Sequence, residues 1–221
     1  MSLDFLSILQ YWRFLLNALG WTLALSGASV LCGLAIGLLV GIWRAYGGLV
    51  AREALSFYID SVRSIPILVI IVWTYFALPL LIGLSIQPMA AAILALSFHL
   101  GAYAAEAVRA GLLSVRAGQL RAGLALGMSP QQAVCVIILP QALIRMVPPV
   151  GSLILIAVKD SAIASVIAVP ELMRQSQLLA GITYQPFEVF TTAMVLYFLI
   201  LYPIARGTDR LYRKVAHLGA S

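Results

Sequence analysis

Five long apolar segments, separated by short polar stretches, make up most of the chain. They lie at about residues 15–42, 55–78, 88–105, 147–169 and 187–204. A helix that crosses a membrane needs about 20 consecutive, mostly apolar residues, which matches these segments. Their apolar residues are continuous and do not alternate with polar ones, which argues against the strands of a membrane barrel. The pattern predicts an all-α integral membrane protein, in which residues 1–221 form a single domain with five transmembrane helices.

The composition supports this class. Of the 221 residues, 62% are hydrophobic and only 10% are charged, and the mean hydropathy is +1.03. A soluble domain carries about 25% charged residues. Cys32 and Cys135 are far apart and fit neither a metal-ligand motif nor a disulfide framework. The first residues contain Asp4, no lysine and no small-residue cleavage motif, so we expect no cleavable signal peptide.

The positive charges predict the orientation of the segments. Ten of the fourteen lysines and arginines lie in residues 44–52, in residues 109–146 and in the tail after residue 204. Positively charged loops face the cytoplasm, and five spans place these three stretches on one side. We therefore expect a cytoplasmic C-terminus, with the N-terminus and residues 170–186 outside. Because the basic residues flank membrane segments, the formal charge of +6 does not indicate nucleic acid binding.

Three glycines in the first segment, Gly33, Gly37 and Gly41, repeat every fourth residue and so share one helix face. Small residues at this spacing let two membrane helices approach closely. Close packing is the favoured interpretation, and a sliding or dimer seam is the alternative.

Charged residues interrupt the second segment. Asp60 and Arg63 are three residues apart, so they share a helix face and are expected to pair. Pro66 removes a backbone donor and predicts a kink or break. A charge deep in a membrane costs on the order of 3 kcal/mol, so such residues usually face protein or water. A self-satisfied ion pair and a role in a substrate pathway remain equally open for Asp60 and Arg63.

The third and fourth segments carry further polar residues. His99 stands alone on an apolar helix, which favours a packing role over a ligand role. Glu106 and Arg109 are three residues apart and are expected to pair. Lys159 and Asp160 are adjacent, so they point about 100° apart on a helix and do not face each other. With Ser161, they are candidates for a substrate pathway, and structural pairing is the alternative.

Residues 109–146, which we call the elbow, form the longest polar stretch between apolar segments. A short helical run ends at Leu126, and Gly127 stands where a left-handed residue closes a helix. Ser129 can cap a second helix, with Pro130 at its first position and Gln132 at its third. The pattern predicts two short helices joined by a tight turn and closed by Pro140, and later by Pro148 and Pro149. A DNA-reading helix-turn-helix is disfavoured because membrane segments flank the elbow closely.

The elbow resembles the EAA loop of bacterial ABC-importer permeases. That loop has Glu-Ala-Ala, three residues, Gly, nine residues, and then Ile-x-Leu-Pro. Here nine residues separate Gly127 from Ile137-Ile138-Leu139-Pro140, whereas Arg121-Ala122-Gly123 replaces Glu-Ala-Ala. The runs RSIP, YAAEAVRAG, LGMS, LPQA and KDSAIASVI extend the likeness over about residues 15–210 and resemble the polar amino acid branch of these permeases.

The resemblance implies the five-helix fold of a type I importer permease in the bacterial inner membrane. It implies as partners two ATP-binding cassette subunits, a second permease chain that is identical or similar, a periplasmic binding protein and an amino acid substrate. It also implies that the chain is not itself an enzyme and holds no cofactor, since ATP and Mg²⁺ belong to the ATPase. The absence of any Gly-Lys dipeptide, and hence of a Walker phosphate loop, supports this. The contacts with the ATPase would involve Gln119, Arg121, Ala122, Gly123, Leu126 and Gly127.

The resemblance and the charged residues together suggest a mechanism. ATP-driven closure of the ATPases would push the elbows together and alternate the access to a central cavity. Lys159 and Asp160, with Asp60 and Arg63, would offer a cation and an anion to a zwitterionic amino acid. Alternatively, the chain is a secondary carrier or channel for small polar solutes that acts without an ATPase. An odd number of spans and the absence of an inverted repeat disfavour that alternative.

Overall fold

The computed structural model describes residues 4–216, and they form helices joined by short turns. In chain order the helices are α1 (Phe5–Leu9), α2 (Trp12–Tyr46), α3 (Leu49–Ser64), α4 (Ile67–Ile82), α5 (Pro88–Leu113), α6 (Ala117–Ala125), α7 (Pro130–Ile167), α8 (Leu172–Thr183) and α9 (Pro186–Ala216). Helices α2, α5, α7 and α9 are long and apolar enough to cross a membrane, and the bent pair α3–α4 is a fifth candidate span.

The helices α2 and α5 pack along the predicted glycine face. A Cβ atom at Gly33 would stand 2.9 Å from the Cβ of Leu100. One at Gly37 would overlap Ala104, and one at Gly41 would stand 2.7 Å from the Cβ of Val108. Real Cβ atoms do not approach so closely, so only glycine permits this contact. The prediction that these glycines permit close helix packing is confirmed, and the packed helices, α2 and α5, belong to the same chain.

The break predicted at Pro66 is also confirmed. Helix α3 ends at Ser64, Ile65 and Pro66 are extended, and α4 leaves at an angle of 102° to α3. Proline cannot donate a backbone hydrogen bond, and it disfavours helical backbone in the residue before it. Ile65 accordingly has a ψ of 129°. The second apolar segment is therefore two helices rather than one straight span.

The expectation that Pro140 closes the elbow is wrong, because α7 runs through it without a break. The segment Val134–Ile138, which precedes Leu139 and Pro140, forms a π-helical turn in which the N–H of Leu139 donates to the carbonyl of Val134. This wider turn accommodates the missing donor and the bulk of a proline ring. Pro148 and Pro149 likewise lie inside the helix, which continues to Asp160 and ends in a 3₁₀ segment.

Helix α8 is held against its neighbouring helices by buried polar contacts. The carboxylate of Glu171 is fully buried and accepts hydrogen bonds from the N–H of Met173 (2.8 Å), the N–H of Arg174 (2.6 Å) and the hydroxyl of Tyr197 (2.9 Å). Burial raises the pKa of the Glu171 carboxyl, and these hydrogen bonds partly offset the rise. A buried apolar cluster joins α8 to α1, α2 and α9 beside them; its members are Ile8, Leu15, Ala18, Leu172, Leu179 and Val189.

Candidate functional site

A cavity of about 400 Å³ opens at the break between α3 and α4. We call it the midspan cavity. Helix α5 contributes one wall and the C-terminal part of α7 another. The lining residues are Arg63, Ser64, Ile65, Pro66, Ile67, His99, Tyr103, Ile156 and Asp160. The helix break thus opens a space between segments that would otherwise pack against each other.

Two of the predicted pathway residues, Arg63 and Asp160, line this cavity. One comes from the last turn of α3 and the other from α7, and they are 97 positions apart in the sequence. The cavity wall therefore presents a guanidinium and a carboxyl group. The predicted pair between Arg63 and Asp60 is not formed in the described chain, since the Arg63 guanidinium lies 5.0 Å from the centre of the Tyr103 ring instead.

The other three predicted pathway residues lie outside the cavity lining. Asp60 is exposed on α3, and Lys159 is exposed on α7. Ser161 is fully buried, and its hydroxyl donates to the carbonyl oxygen of Val158 at 2.8 Å. Lys159 and Asp160 are adjacent on a helix and therefore point about 100° apart. This explains why Asp160 lines the cavity and Lys159 does not.

The lining residues that sequence reasoning missed include two ring side chains of α5, His99 and Tyr103. His99 is buried and packs its ring 5.1 Å from that of Tyr103, as a packing histidine would. It also lines the cavity, and its Nδ1 atom has no hydrogen-bond partner in the part of the chain that the structure describes. An unsatisfied buried nitrogen is uncommon in folded proteins. The four-residue spacing of His99 and Tyr103 on α5 was the available signal that they share a face.

A second cavity of about 480 Å³ continues toward the elbow, and we call it the vestibule. It shares Arg63, Tyr103 and Ile156 with the midspan cavity. Its other lining residues are Ala107, Ala110, Gly111, Pro149 and Leu153, together with the polar Glu106, Ser114, Arg145 and Ser152. The two cavities thus adjoin at Arg63 and Tyr103, and we call them together the groove, which extends from the α3–α4 break to the elbow.

An ion cluster stands beside the vestibule. The predicted pair of Glu106 and Arg109 is confirmed, with 2.6 Å between Oε1 and Nη2. The structure adds Arg44 from the end of α2, which binds Glu106 and also donates from Nε to the hydroxyl of Ser56 at 2.9 Å. Sequence reasoning missed this contact because Arg44 and Glu106 are 62 positions apart. The cluster joins α2, α3 and α5 at the end of the groove nearest the elbow.

The elbow turn has the predicted geometry. Gly127 has a φ of +82°, and the N–H groups of Gly127 and Met128 donate to the carbonyls of Leu124 (3.0 Å) and Gly123 (3.1 Å). This pair of hydrogen bonds is the Schellman motif that closes helices at a glycine. Ser129 and Gln132 then form a complete capping box at the start of α7.

Most residues assigned to the ATPase contact lie on the outer surface of the elbow. Gly123 is the exception, because it is buried and a Cβ there would come within 2.8 Å of Ile137. It lets α6 lie close against the first turns of α7. Leu126 is 80% exposed at the tip of the turn. The remaining exposed members are Gln119, Arg121, Ala122 and Gly127.

Comparison with known proteins gives consistent matches over nearly the whole chain. Residues 33–217 match the family described as binding-protein-dependent transport system inner membrane component. The chain is 36% identical over 216 residues to the glutamine transport system permease protein GlnP of Escherichia coli K12, covering 97% of this chain and 99% of that protein. It is 30% identical over 213 residues to the arginine transport system permease protein ArtQ of Bacillus subtilis 168, covering 95% and 97%.

Solved structures show the same fold. The crystal structure of an amino acid ABC transporter with histidines has a TM-score of 0.90 at 30% identity, covering 97% of this chain and all of that one. An inward-facing structure of the methionine ABC transporter MetNI has a TM-score of 0.81 at 27% identity, covering 93% and 98%. The predicted all-α importer permease fold is thereby confirmed. With its apolar helices, its groove and its elbow, the chain belongs to the family of binding-protein-dependent transport system inner membrane components, the multi-pass permease chains of bacterial ABC transporters.

Proposed function

We propose that this chain forms half of the translocation pathway of an amino acid importer and couples it to ATP hydrolysis on separate subunits. The observation that carries the proposal is the pair of adjoining cavities between the α3–α4 break and the elbow, with Arg63 and Asp160 on the wall of the midspan cavity and the exposed turn at Gly127 on the elbow. The groove supplies a path, and the elbow supplies a surface through which a soluble partner can act on it.

The chemistry of the midspan cavity suits an α-amino acid. Arg63 can bind an α-carboxylate with two parallel hydrogen bonds, and Asp160 can accept a hydrogen bond from an α-ammonium group. A volume of about 400 Å³ lies within the usual range for small-molecule sites. Lys159 and Asp60 are exposed and do not line this site, so they would act elsewhere, for example at the surface toward a second permease chain.

The elbow suits docking into a groove on an ATP-binding cassette subunit. Leu126 and Gly127 protrude at its tip, and Gln119, Arg121 and Ala122 lie along its outer face. ATP and Mg²⁺ would be bound entirely by that partner. Arg121 stands where related loops have glutamate, so the partner surface should present an acid to it rather than a base.

The full assembly would contain two permease chains, two ATPases and an external substrate-binding protein. A second permease chain, identical or similar, would face the groove and enclose the pathway. Membrane lipid would cover the remaining apolar surface. The binding protein would deliver the amino acid from the side of α8, opposite the elbow.

The proposal can be tested with the complex reconstituted into lipid vesicles. Gly127→Arg places a large side chain at a left-handed position of the docking turn, so it should abolish ATP hydrolysis stimulated by the binding protein. Asp160→Asn removes the anion of the cavity, so it should raise the KM for amino acid uptake by about tenfold while assembly is retained.

Full retention of stimulated hydrolysis in Gly127→Arg would contradict the coupling role of the elbow. Unchanged uptake kinetics in Asp160→Asn would contradict the cavity role. Uptake by the permease chains alone, without an ATPase, would support the secondary carrier instead.

A further inference from the structure

The two ends of the elbow are joined by one arginine. Arg145, on α7, donates from Nη1 to the carbonyl oxygen of Ser114 and, at 3.0 Å, to its hydroxyl oxygen. Ser114 follows the last residue of α5, and its hydroxyl donates to the carbonyl of Gly111 at 2.6 Å. The chain thus leaves α5 and returns in α7 through a single closed junction, which we call the neck.

The packing beneath the neck is equally close. A Cβ atom at Gly111 would stand 2.5 Å from Cγ of Met146, the residue next to Arg145. A buried apolar cluster continues this contact into the elbow; its members are Val108, Leu112, Val115, Ile138, Ala142 and Met146. The neck therefore combines a dense apolar contact with hydrogen bonds from a charged donor.

Arg145 donates to a carbonyl group at the C-terminal end of α5, and this position makes the contact more favourable. The last carbonyl groups of a helix have no partners within the helix and carry a partial negative charge. A guanidinium group at this position satisfies a carbonyl and interacts favourably with the helix dipole. Lysine would keep the charge, but its ammonium group sits on a flexible stem and lacks the rigid planar group that holds Nη1 of Arg145 between its two acceptors.

The helices joined at the neck also carry the walls of the groove. His99 and Tyr103 lie on α5, and Ile156 and Asp160 lie on α7. The opposite wall, with Arg63, belongs to the α3–α4 break. If the neck stays closed, a push on the elbow moves α5 and α7 together relative to Arg63. If the neck opens, the same push bends the elbow and no longer moves α5 and α7.

We propose that Arg145 is a positioning residue for coupling, which closes the neck so that α5, the elbow and α7 move as one lever. This inference rests on the proposed function, because it requires the ATPase to act on the elbow. Arg145 also lines the vestibule, so the rival explanation is that it contacts the amino acid during release.

The test compares substitutions in the reconstituted complex by the number of ATP molecules hydrolysed per amino acid imported. In Arg145→Gln this number should rise about fivefold or more, with basal ATP hydrolysis and the KM for uptake unchanged. Arg145→Lys should give an intermediate value. Arg116→Gln is the matched control, since the Arg116 side chain is exposed beside the neck and makes no hydrogen bond or ion pair with the described residues, and it should behave as the wild type.

A distance measurement checks the lever directly. Spin labels at Leu113→Cys and Leu143→Cys, two exposed positions that flank the neck, would be placed in a chain lacking Cys32 and Cys135. Their separation within one chain should be narrowly distributed with and without ATP, and it should broaden in Arg145→Gln.

The outcomes distinguish the role of the neck from the docking role of the elbow. An unchanged ATP-to-substrate ratio in Arg145→Gln, with Gly127→Arg inactive, would overturn the neck but leave the elbow as the docking site. A raised KM at an unchanged ratio would also overturn it and assign Arg145 to the pathway. If Gly127→Arg stays fully active, the proposed coupling itself fails.

Discussion

Gly37 shows how far one residue constrains this protein. It lies on α2 at its contact with α5, and an added Cβ would overlap Ala104 and stand 2.9 Å from backbone atoms of Ala104 and Ala105. Backbone atoms cannot move aside as a flexible side chain can. Since lipid tails are as apolar as the helix surfaces, close packing of this kind is a principal source of stability in a membrane.

We predict that Gly37→Ala destabilises the chain by about 2 kcal/mol, because the two helices must separate to admit one methyl group. Thermal unfolding of the detergent-solubilised protein, followed by the loss of the monodisperse species, would measure the change. Gly20→Ala is the matched control on the same helix, where an added Cβ meets nothing within 4 Å. Equal unfolding temperatures for the two variants would contradict the packing argument.

At the scale of elements, the elbow is specified by short-range signals. Gly127 supplies the left-handed residue, and Ser129 with Gln132 supplies the capping box: the hydroxyl of Ser129 accepts from the N–H of Gln132 at 3.3 Å, and the amide oxygen of Gln132 accepts from the N–H of Ser129 at 2.9 Å. These contacts fix where α6 ends and α7 begins. They do not decide where the elbow points, which depends on the neck and on the apolar cluster beneath it.

We predict that Ser129→Ala loosens the start of α7. Loss of a capping side chain costs about 1 kcal/mol, so amide exchange within residues 130–138 should accelerate about fivefold. Hydrogen-exchange mass spectrometry of the solubilised permease would detect it. Gln131→Ala, at an exposed neighbouring position outside the capping box, should exchange at the wild-type rate. Similar acceleration in both variants would show that the cap does not hold this turn.

For the whole molecule, four of the described helices, α3, α4, α5 and α7, line the groove. Helices α5 and α7, joined at the neck, form one wall, and the α3–α4 break forms the other. The cluster of Arg44, Glu106 and Arg109 connects these walls near the elbow. The opposite end of the molecule is held by α8 and the buried Glu171. The elbow and α8 thus mark the two ends of the molecule.

We predict that these ends lie on opposite sides of the membrane, with the elbow in the cytoplasm. Single cysteines at Leu126 and Tyr184, which are 80% and 87% exposed, would be introduced into a chain lacking Cys32 and Cys135. In the permease expressed without its partners, a membrane-impermeant thiol reagent should label Tyr184→Cys in right-side-out vesicles and Leu126→Cys in inverted ones. The reverse result would contradict the orientation drawn from the positive charges.

Much of this molecule followed from local sequence patterns. The apolar segments, the glycine face of α2, the break at Pro66 and the turn at Gly127 were all predictable, because each depends on residues within a few positions of one another. The pair of Glu106 and Arg109 belongs to this group, since three residues of helix bring the two side chains together. The continuity of α7 through Pro140 was missed, because a π-helical turn has no clear local signal.

Tertiary structure decided which polar residues act together. Asp60, Arg63, Lys159 and Asp160 were all pathway candidates in the sequence, and of these only Arg63 and Asp160 line the midspan cavity. The rotation of each helix about its axis is set by packing against distant helices, and a rotation of about 100° exchanges one residue for the next. The contacts of Arg145 with Ser114 and of Arg44 with Glu106 also depend on how distant helices pack. The residues in each pair are far apart in the sequence, so no local pattern predicts the contact.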